Sequence, residues 1–578
     1  MHHQILAPVG GSLALSALVG ALPLVLLLVL LGVVRMRSHW AAAWSLLAAL
    51  VVAVFAFRLP VIPALSGAAE GAMFGFFPIV WIILNAVWLN RLIQQSGYLR
   101  WVRYTFMGLS DDSRVQALII AFCFGSLLEA MAGFGAPIAV VAAILLALGF
   151  SPIRAATVAM FADAAGTAFG SVGNPIFALS KATGLPAEQL GEMVGRQSAI
   201  VAFFVPFVLL LALDGTRGLR QLWPVGVATG LGFGVGQYVT SNFIAFQLAD
   251  LIGALVASAA AVVLLRIWSP SAPPESEHED GTEPTASDRP STADGPGTAG
   301  QQRRTRPRTG SLLSAERAGL GATLEPTETP TRVQLVRAFS PYAVLTVLLA
   351  LVSIDGPIAR WVNGFTTKFR WPGVRVVDSN GKQLTLDQFS VNWLGATGTV
   401  LLITGLISMV VLRVAPRAGL REYARAAVQI RWAAATVMLV LAFAYVLNYS
   451  GQAVTIGTFL AGAGGAFIVL SPVLGWLGVA ATGSDTSANA LFGAVQVASA
   501  EHIGLSPYLL AAANSEAGAL GKLVSPQNLA MAAAAVGMSG QEGSLFRRTF
   551  PWSLIYLALF IVVVYLMAVG PLTWMVVR

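Results

Sequence analysis

Two widely separated parts of this chain repeat one pattern, in which an apolar helical run is broken by glycine and polar residues. Each copy opens with a Gly-x-Ser-Pro turn, continues through an alanine-rich stretch and ends at a glycine and a proline with the same spacing. The matching positions are Gly149 to Pro152 with Gly170 and Pro175, and Gly504 to Pro507 with Gly521 and Pro526. Interrupted apolar segments at corresponding places in two halves are typical of the binding site of a secondary transporter.

The composition indicates a membrane protein. The chain has 578 residues, of which 56% are hydrophobic and 11% are charged, whereas a soluble domain carries about 25% charged residues. Several apolar runs reach the length of about 20 residues that an α-helix needs to cross a bilayer, and the first, residues 12–34, is interpreted as a retained span. The predicted fold is all-α and polytopic, with two inverted repeats, broken or re-entrant helices and roughly 12–14 transmembrane segments.

The net charge of +8 does not indicate a nucleic-acid partner, because the basic residues lie mainly in short loops between apolar runs. Arg35 and Arg37 follow the first run, and a group around Arg417 lies between two late ones. Short loops rich in Lys and Arg favour the cytoplasmic side, so the N-terminus is predicted to lie outside. The histidines show no metal-ligand spacing, so neither a metal nor another cofactor is predicted.

A polar segment divides the chain. Residues 269–333 are rich in Pro, Ser, Thr, Gly, Glu and Arg and nearly free of aromatic residues, a composition that predicts a disordered cytoplasmic linker. Residues 1–268 are predicted to form the first transmembrane half and residues 334–578 the second. A further polar loop, residues 355–392, carries the turn signal Ser379-Asn380-Gly381 and is predicted to hold a short hairpin on the outer face.

Ionisable residues inside apolar runs are rare and mark functional sites, because a charge at the bilayer centre is costly. In this chain they cluster in the two repeat units, with Asp250 the main exception. The residues of this cluster are Glu129, Arg154, Asp163, Asp485, Glu516 and Lys522.

The first break follows Glu129 by one turn and contains Gly133, Phe134 and Gly135 before Pro137. Glycine permits unusual backbone angles and proline stops a helix from continuing, so a half-helix starting near Pro137 would direct free N–H groups at a carboxylate ligand. The residues between are therefore candidates for substrate binding, and Glu129 is a candidate proton carrier. The alternative is a packing kink in which Glu129 caps its own helix.

The corresponding break in the second half is a dense polar run. Its hydroxyl and amide groups suit a small hydroxylated anion, and its carboxylate suits a proton or a cation. The hydroxyl and amide residues are Ser484, Thr486, Ser487 and Asn489, and the carboxylate is Asp485. Residues of these types are also preferred at a helix N-cap. Capping and substrate binding are compatible, since both use the same helix end.

The second break of each unit supplies further candidates. Thr167 and Asn174 lie there in the first half, and Ser525 in the second. Arg154 and Lys522 are the natural cations for an anionic substrate, because Arg holds a carboxylate with two hydrogen bonds and Lys acts as a point charge. Snorkelling to the interface is the alternative for Arg154, and an internal pair with Glu516 or another acid is the alternative for Lys522.

Asp163 and Glu516 are the remaining acids of the repeat units. Asp163 is either a proton carrier or a buried partner for Arg154 or Lys522, and Glu516 is a further candidate for proton coupling. Coupling needs a carboxyl group whose burial lets it load and unload a proton near neutral pH. The sequence leaves open which of the four acids does so.

At these motifs the chain resembles the lactate permease family. The resemblance extends over nearly the whole chain outside residues 269–333. Its motifs are Leu128 to Pro137, Gly149-Phe150, Pro152 and Arg154, then Thr482 to Gly493, Leu505 to Pro507, Gly521-Lys522 and Ser525 to Gln527. Asp163, Asn174 and Glu516 stand where that family commonly has other residues.

The resemblance implies a proton symporter for L-lactate, D-lactate or glycolate in the plasma membrane, with an ion-transporter-like fold and alternating access. The motifs show no nucleophile–base arrangement, so an enzyme is not predicted. Membrane lipid surrounds such a protein, and a homodimer is expected by analogy alone. The alternatives are a transporter of another small organic anion, coupled to Na⁺ or uncoupled, and, in a different class, an ion channel.

Overall fold

The described fold is all-α apart from two pairs of short strands. It is a computed structural model that describes residues 2–107, 109–110, 112–131, 133, 135–268, 330–354, 356–374, 376–377 and 388–577. Phe134, the turn Ser379–Gly381 and residues 269–329 of the predicted linker lie outside this part of the chain. Helix α13 already begins at Arg332, where Thr331 and Gln334 form a capping box.

The helices of the first half alternate between long spans and short, broken segments. They are α1 (Leu13–Gly32), α2 (Ser38–Phe55), α3 (Val61–Phe74), α4 (Trp81–Gln95), α5 (Leu99–Met107), α6 (Ser113–Leu118), α7 (Gly125–Met131), α8 (Ala136–Ala147), α9 (Pro152–Asp163), α10 (Gly170–Thr183), α11 (Ala187–Phe243) and α12 (Ala249–Ile267).

The second half has the same alternation. Its helices are α13 (Arg332–Ser353), α14 (Pro357–Asn363), α15 (Thr397–Val411), α16 (Pro416–Ser450), α17 (Gln452–Ala461), α18 (Phe467–Thr482), α19 (Asp485–His502), α20 (Pro507–Gly521), α21 (Pro526–Ala535) and α22 (Glu542–Val569).

The strands lie at one end of the molecule. Strand β2 (Thr366–Arg370) pairs antiparallel with β4 (Gln388–Asn392), as predicted for the loop 355–392, and β1 (His2–His3) runs parallel to β3 (Val376–Val377). The N-terminus and this loop therefore share one side.

Ten helical stretches in the described part are long and apolar enough to cross a membrane, or eleven if the bent pair α9 and α10 counts as one span. That pair bends by 58° at its break. Helix α11, of 57 residues, turns back at Asp214 and Gly215, so that Gly230 lies against Phe203. The predicted number of segments also counted short helices at the breaks, which do not span by themselves.

Two helical hairpins form at the polar breaks. Gly125 of α7 faces Val141 of α8, so these helices run antiparallel, with Gly133 near the tip. Gly478 of α18 faces Phe492 of α19 in the same way. We call α7–α8 hairpin 1 and α18–α19 hairpin 2. A glycine with positive φ lies at each tip, where an L side chain is strained.

The two halves exchange equivalent contacts. Helix α8 packs against α21, and its counterpart α19 packs against α10; likewise α2 packs against α16, and α15 against α4. Such an exchange is expected of inverted repeats related by a pseudo-twofold axis. This packing between the halves brings both hairpin tips and both broken helices together inside the buried core. The single cysteine, Cys123, lies fully buried between α6 and α7.

Candidate functional site

A cavity of about 640 Å³ extends from the turn between α1 and α2 to both hairpin tips. Arg37 and His39 line its mouth, where His39 stacks on Trp432 with ring centroids 4.4 Å apart. Gly133 of hairpin 1 and Ser484 of hairpin 2 line its deep end. The convergence predicted from the repeated breaks is therefore present in the structure.

Lys522 lies at the deep end and contacts two carboxylates. Its Nζ atom is 3.0 Å from Oε1 of Glu129 and 2.7 Å from Oδ2 of Asp163. The hydroxyl of Thr167 accepts a further hydrogen bond from Nζ at 3.2 Å. All these side chains are buried. Lys522 thus forms an internal pair, the alternative that the sequence left open, but with Glu129 and Asp163 and not with Glu516.

Local breaks in the backbone make this cluster fit. Lys522 begins a short 3₁₀ turn directly after α20 ends at Gly521, which directs the lysine across to the first half. A Cβ atom on Gly170 would lie 2.7 Å from Oε1 of Glu129, so a larger residue there would displace this carboxylate from its present position. The Thr167 hydroxyl donates to the carbonyl of Asp163 at 2.8 Å, which fixes its lone pairs towards Lys522.

Hairpin 2 presents a capped helix end to the cavity. The Ser484 hydroxyl accepts a hydrogen bond from the backbone N–H of Ser487 at 3.3 Å, as predicted for an N-cap. Oδ2 of Asp485 accepts from the hydroxyl of Ser515 at 2.9 Å, whereas Oδ1 has no hydrogen-bond partner among the described residues. The first N–H groups of a helix lack intrahelical acceptors, so this end of α19 suits an anion.

Asn174 is the clearest unpaired polar group of the cavity. Its amide oxygen and nitrogen are buried without a hydrogen-bond partner among the described residues, although the side chain lines the cavity. It follows a left-handed turn, with φ of 48° at Ser171, 60° at Val172 and 75° at Gly173. A β-branched residue such as Val172 is strained there. The rest of the fold therefore holds this amide in place.

The charges at the deep end do not balance by themselves. Lys522 offers one positive charge, while Glu129, Asp163 and Asp485 offer three carboxylates. One oxygen of each carboxyl group is buried without a hydrogen-bond donor in the described structure. An isolated ionised carboxylate is strongly disfavoured in an apolar interior. An anionic ligand therefore binds here favourably only if protons or cations reduce this negative charge.

Most predicted site residues meet at this cavity. Those that line it are Glu129, Gly133, Thr167, Asn174, Ser484, Asp485, Thr486, Ser487 and Lys522. Asp163 reaches it through Lys522. Their roles in binding a substrate or a proton stay predictions.

Arg154 is not at the site, which corrects one prediction. It is exposed in the first turn of α9, because Pro152 begins that helix at the turn after hairpin 1. Its position matches the alternative of a residue near a helix start that reaches the interface.

Other predicted binding residues have structural contacts instead. The amide of Asn489 bonds to Ser515 at 2.8 Å and to the carbonyl of Pro175 at 3.2 Å, and so ties α19 to α20 and α10. Ser525 caps α21. Gly135 is the N-cap residue of α8 and faces Met531. Like these three, Glu516 of α20 is not among the residues that line the cavity.

The sequence missed several residues of the cavity. Ser171, Gln527 and Asn528 line its deep end, and Trp432 lines its mouth. The run Gly170–Gly173 carried a usable signal, since glycines on either side of Ser171 predict an exposed turn. Trp432 lies in a long helix without a polar break, and only the folded structure reveals its place.

The family model and the curated relatives agree with each other. The family model described as L-lactate permease matches residues 16–570. The glycolate permease GlcA of Escherichia coli K12 is 37% identical over 96% of this chain and 95% of its own length. The L-lactate permease of Bacillus subtilis strain 168 is 36% identical over 97% of this chain and 98% of its own. Among solved structures, Neisseria gonorrhoeae MtrF aligns with a TM-score of 0.46 and 13% identity over 88% of this chain and 84% of that one.

Proposed function

Because this chain belongs to the L-lactate permease family, we propose that it is a secondary active transporter of a small 2-hydroxymonocarboxylate, L-lactate or glycolate, in symport with a proton. One observation carries the proposal. The cavity is lined by polar groups that suit such an anion and have no hydrogen-bond partner in the described structure. The same cavity holds carboxylates that outnumber the lysine between them. Membership of a permease family also confirms a multi-pass transporter rather than an enzyme.

The anion is proposed to bind between the first turn of α19 and Asn174. The Nδ2 atom of Asn174 donates to the substrate carboxylate, and its Oδ1 atom accepts from the 2-hydroxyl group. The hydroxyls of Thr486 and Ser487, which line the same wall, and the free N–H groups of α19 complete the set of donors. A monocarboxylate without a 2-hydroxyl group would leave the Asn174 oxygen unpaired and so bind more weakly.

The proton is proposed to reside on Glu129 while the anion is bound. A proton on its free Oε2 atom leaves Lys522 balanced by Asp163 alone, so the substrate adds its negative charge to a less negative site. Without the proton, both acids and the substrate compete for one ammonium group. Coupling then follows from electrostatics, because anion and proton each favour the binding of the other.

Alternating access is proposed to involve α10. The cavity described above opens beside Arg37, on the side that the basic loops predict to be cytoplasmic. A second cavity, of about 650 Å³, is lined by Ser180 and Lys181 at the far end of α10. Movement of the halves 1–268 and 334–578 would open the site to either cavity in turn. We place the protein in the plasma membrane, as a homodimer by analogy alone.

The proposal is tested with purified protein in liposomes. Uptake of radiolabelled L-lactate is measured under an inward proton gradient, with and without Na⁺. We expect accumulation that needs no Na⁺ and collapses when a protonophore is added. Accumulation that requires Na⁺ would contradict proton coupling, and flux that never exceeds the equilibrium level would indicate a channel. Absence of uptake, with glycolate also inactive, would contradict the substrate class.

Replacing Asn174 with alanine is expected to raise the KM for L-lactate by about tenfold or more, since a hydrogen bond to a charged group contributes about 1.5–3 kcal/mol. The thermal midpoint should change little, because the amide has no partner in the described structure. Initial rates across substrate concentrations check this. The matched control is Asn489→Ala, which removes bonds between helices and should lower the thermal midpoint. An unchanged KM in Asn174→Ala would contradict the assignment.

A further inference from the structure

Asp250 is a buried acid that has no role in the binding of substrate and proton proposed above. It lies in the first turn of α12, 1% exposed. Its Oδ1 atom accepts a hydrogen bond from Nε2 of Gln237 at 2.8 Å. Its Oδ2 atom is buried without a partner in the described part of the chain. One half of this carboxyl group is therefore fixed by α11, and the other half is bare.

The bare side of Asp250 faces Glu129. A Cβ atom placed on Gly166 would lie 3.1 Å from Oδ2 of Asp250 and 3.5 Å from Cγ of Glu129. The two side chains thus both lie near the open side of one glycine, at the break between α9 and α10. Among the described residues, Glu129 likewise has no hydrogen-bond partner at Oε2, whereas its Oε1 atom contacts Lys522.

We propose that Asp250 exchanges a proton with Glu129 across Gly166, and that it is a second proton site of the transporter. In this step the O–H bond at Glu129 breaks while an O–H bond forms at Asp250, and no other bond changes. The inference rests on the proposed proton symport. Proton coupling then also involves α12 and the part of α11 that follows Gly215. Both segments come after the first repeat unit in the chain.

The charges around Asp250 favour one shared proton. The charged groups that act on it are Glu129 of α7, Glu516 of α20 and Lys522. Lys522 already contacts Glu129 and Asp163, so no cation pairs with Asp250 among these groups. Neighbouring buried carboxylates that outnumber the cations beside them do not all ionise together. Asp250 is therefore a buried carboxylate near Glu129 that can take up a proton when Glu129 releases one.

A purely structural role is the competing explanation. An acid in the first turn of a helix is favoured by the helix dipole, and the Gln237 bond ties α11 to α12. The substitution Asp250→Asn separates the two explanations, because the asparagine oxygen still accepts from Gln237 whereas the amide cannot take up a proton.

The experiment compares two modes of transport in liposomes. Counterflow exchanges labelled for unlabelled L-lactate and needs no net release of a proton, whereas accumulation under a pH gradient needs one release per cycle. In Asp250→Asn we expect counterflow near the wild-type rate and loss of accumulation under the pH gradient. Ser258→Ala, which removes a local hydrogen bond in the same helix, should leave both modes unchanged.

Each outcome decides between these explanations. Wild-type accumulation in Asp250→Asn would overturn the inference while leaving proton symport intact. Equal loss of both modes, with a lower thermal midpoint, would assign Asp250 a structural role and overturn the inference as well. Wild-type protein that exchanges L-lactate but never accumulates it under a pH gradient would overturn proton symport itself, and the proton exchange with it.

Discussion

Replacing Lys522 with methionine is expected to abolish L-lactate uptake and to destabilise the protein. Methionine keeps the length of the side chain but leaves Glu129 and Asp163 without their shared cation. Removing one partner of a buried ion pair typically costs about 3–5 kcal/mol. The initial rate of uptake should fall below the detection limit at every substrate concentration, and the thermal midpoint in detergent should fall as well.

A double substitution separates the effect of Lys522→Met on stability from its effect on uptake. In the double substitution Lys522→Met with Asp163→Asn, one unpaired carboxylate is removed, so part of the stability should return while uptake stays absent. Arg91→Met is the matched control, since Arg91 contacts the buried Glu422 at 2.8 Å outside the cavity. It should leave the KM unchanged. Uptake by Lys522→Met at the wild-type rate would exclude Lys522 from the transport mechanism.

Replacing Glu129 with glutamine is expected to uncouple L-lactate from protons. Glutamine resembles the protonated acid, because it is neutral and retains an oxygen that accepts from Lys522. Substrate binding and counterflow should therefore persist, while accumulation under a pH gradient should be lost, because transport without a proton only equilibrates the substrate. Accumulation ratios and counterflow rates in the same liposome preparation check this.

Glu422→Gln is the matched control for this substitution. Glu422 is also buried and contacts Arg91 and Arg425, but it lies away from the cavity. The change should weaken that ion pair without altering the accumulation ratio. Asp485→Asn provides the second comparison, since Asp485 is the other candidate proton carrier at the cavity. If Asp485→Asn is uncoupled while Glu129→Gln accumulates normally, the proton belongs to Asp485.

The interruptions of the helices could be predicted from the sequence because their causes are local. Glycine with positive φ at Gly133 and Gly483, and proline at the start of α9 and α20, act within a few residues of where they stand. Repetition of these signals in both halves predicted that the broken segments correspond. The hairpin between β2 and β4 was likewise predicted from a nearby turn sequence.

The ion-pair and hydrogen-bond partners of the site residues could not be predicted from the sequence, because they lie in distant parts of the chain. Lys522 contacts Glu129 across 393 positions, and the sequence offered Arg154 as an equal candidate. Asn174 and Asn489 look alike beside their breaks, yet the first is unpaired in the cavity and the second ties three helices together. Only the packing of the two halves decides which amide faces a ligand and which faces its neighbours.

The buried thiol of Cys123 gives this transporter a practical advantage. A thiol without contact with solvent reacts slowly with labelling reagents, and this side chain is 0% exposed in a chain with one cysteine. Cysteines introduced at Ser180 and at Ser38, which line the two opposite cavities, would therefore carry spin labels or dyes against an almost silent background. The opening and closing of each face during a cycle then becomes visible without removal of the native cysteine, one label at a time.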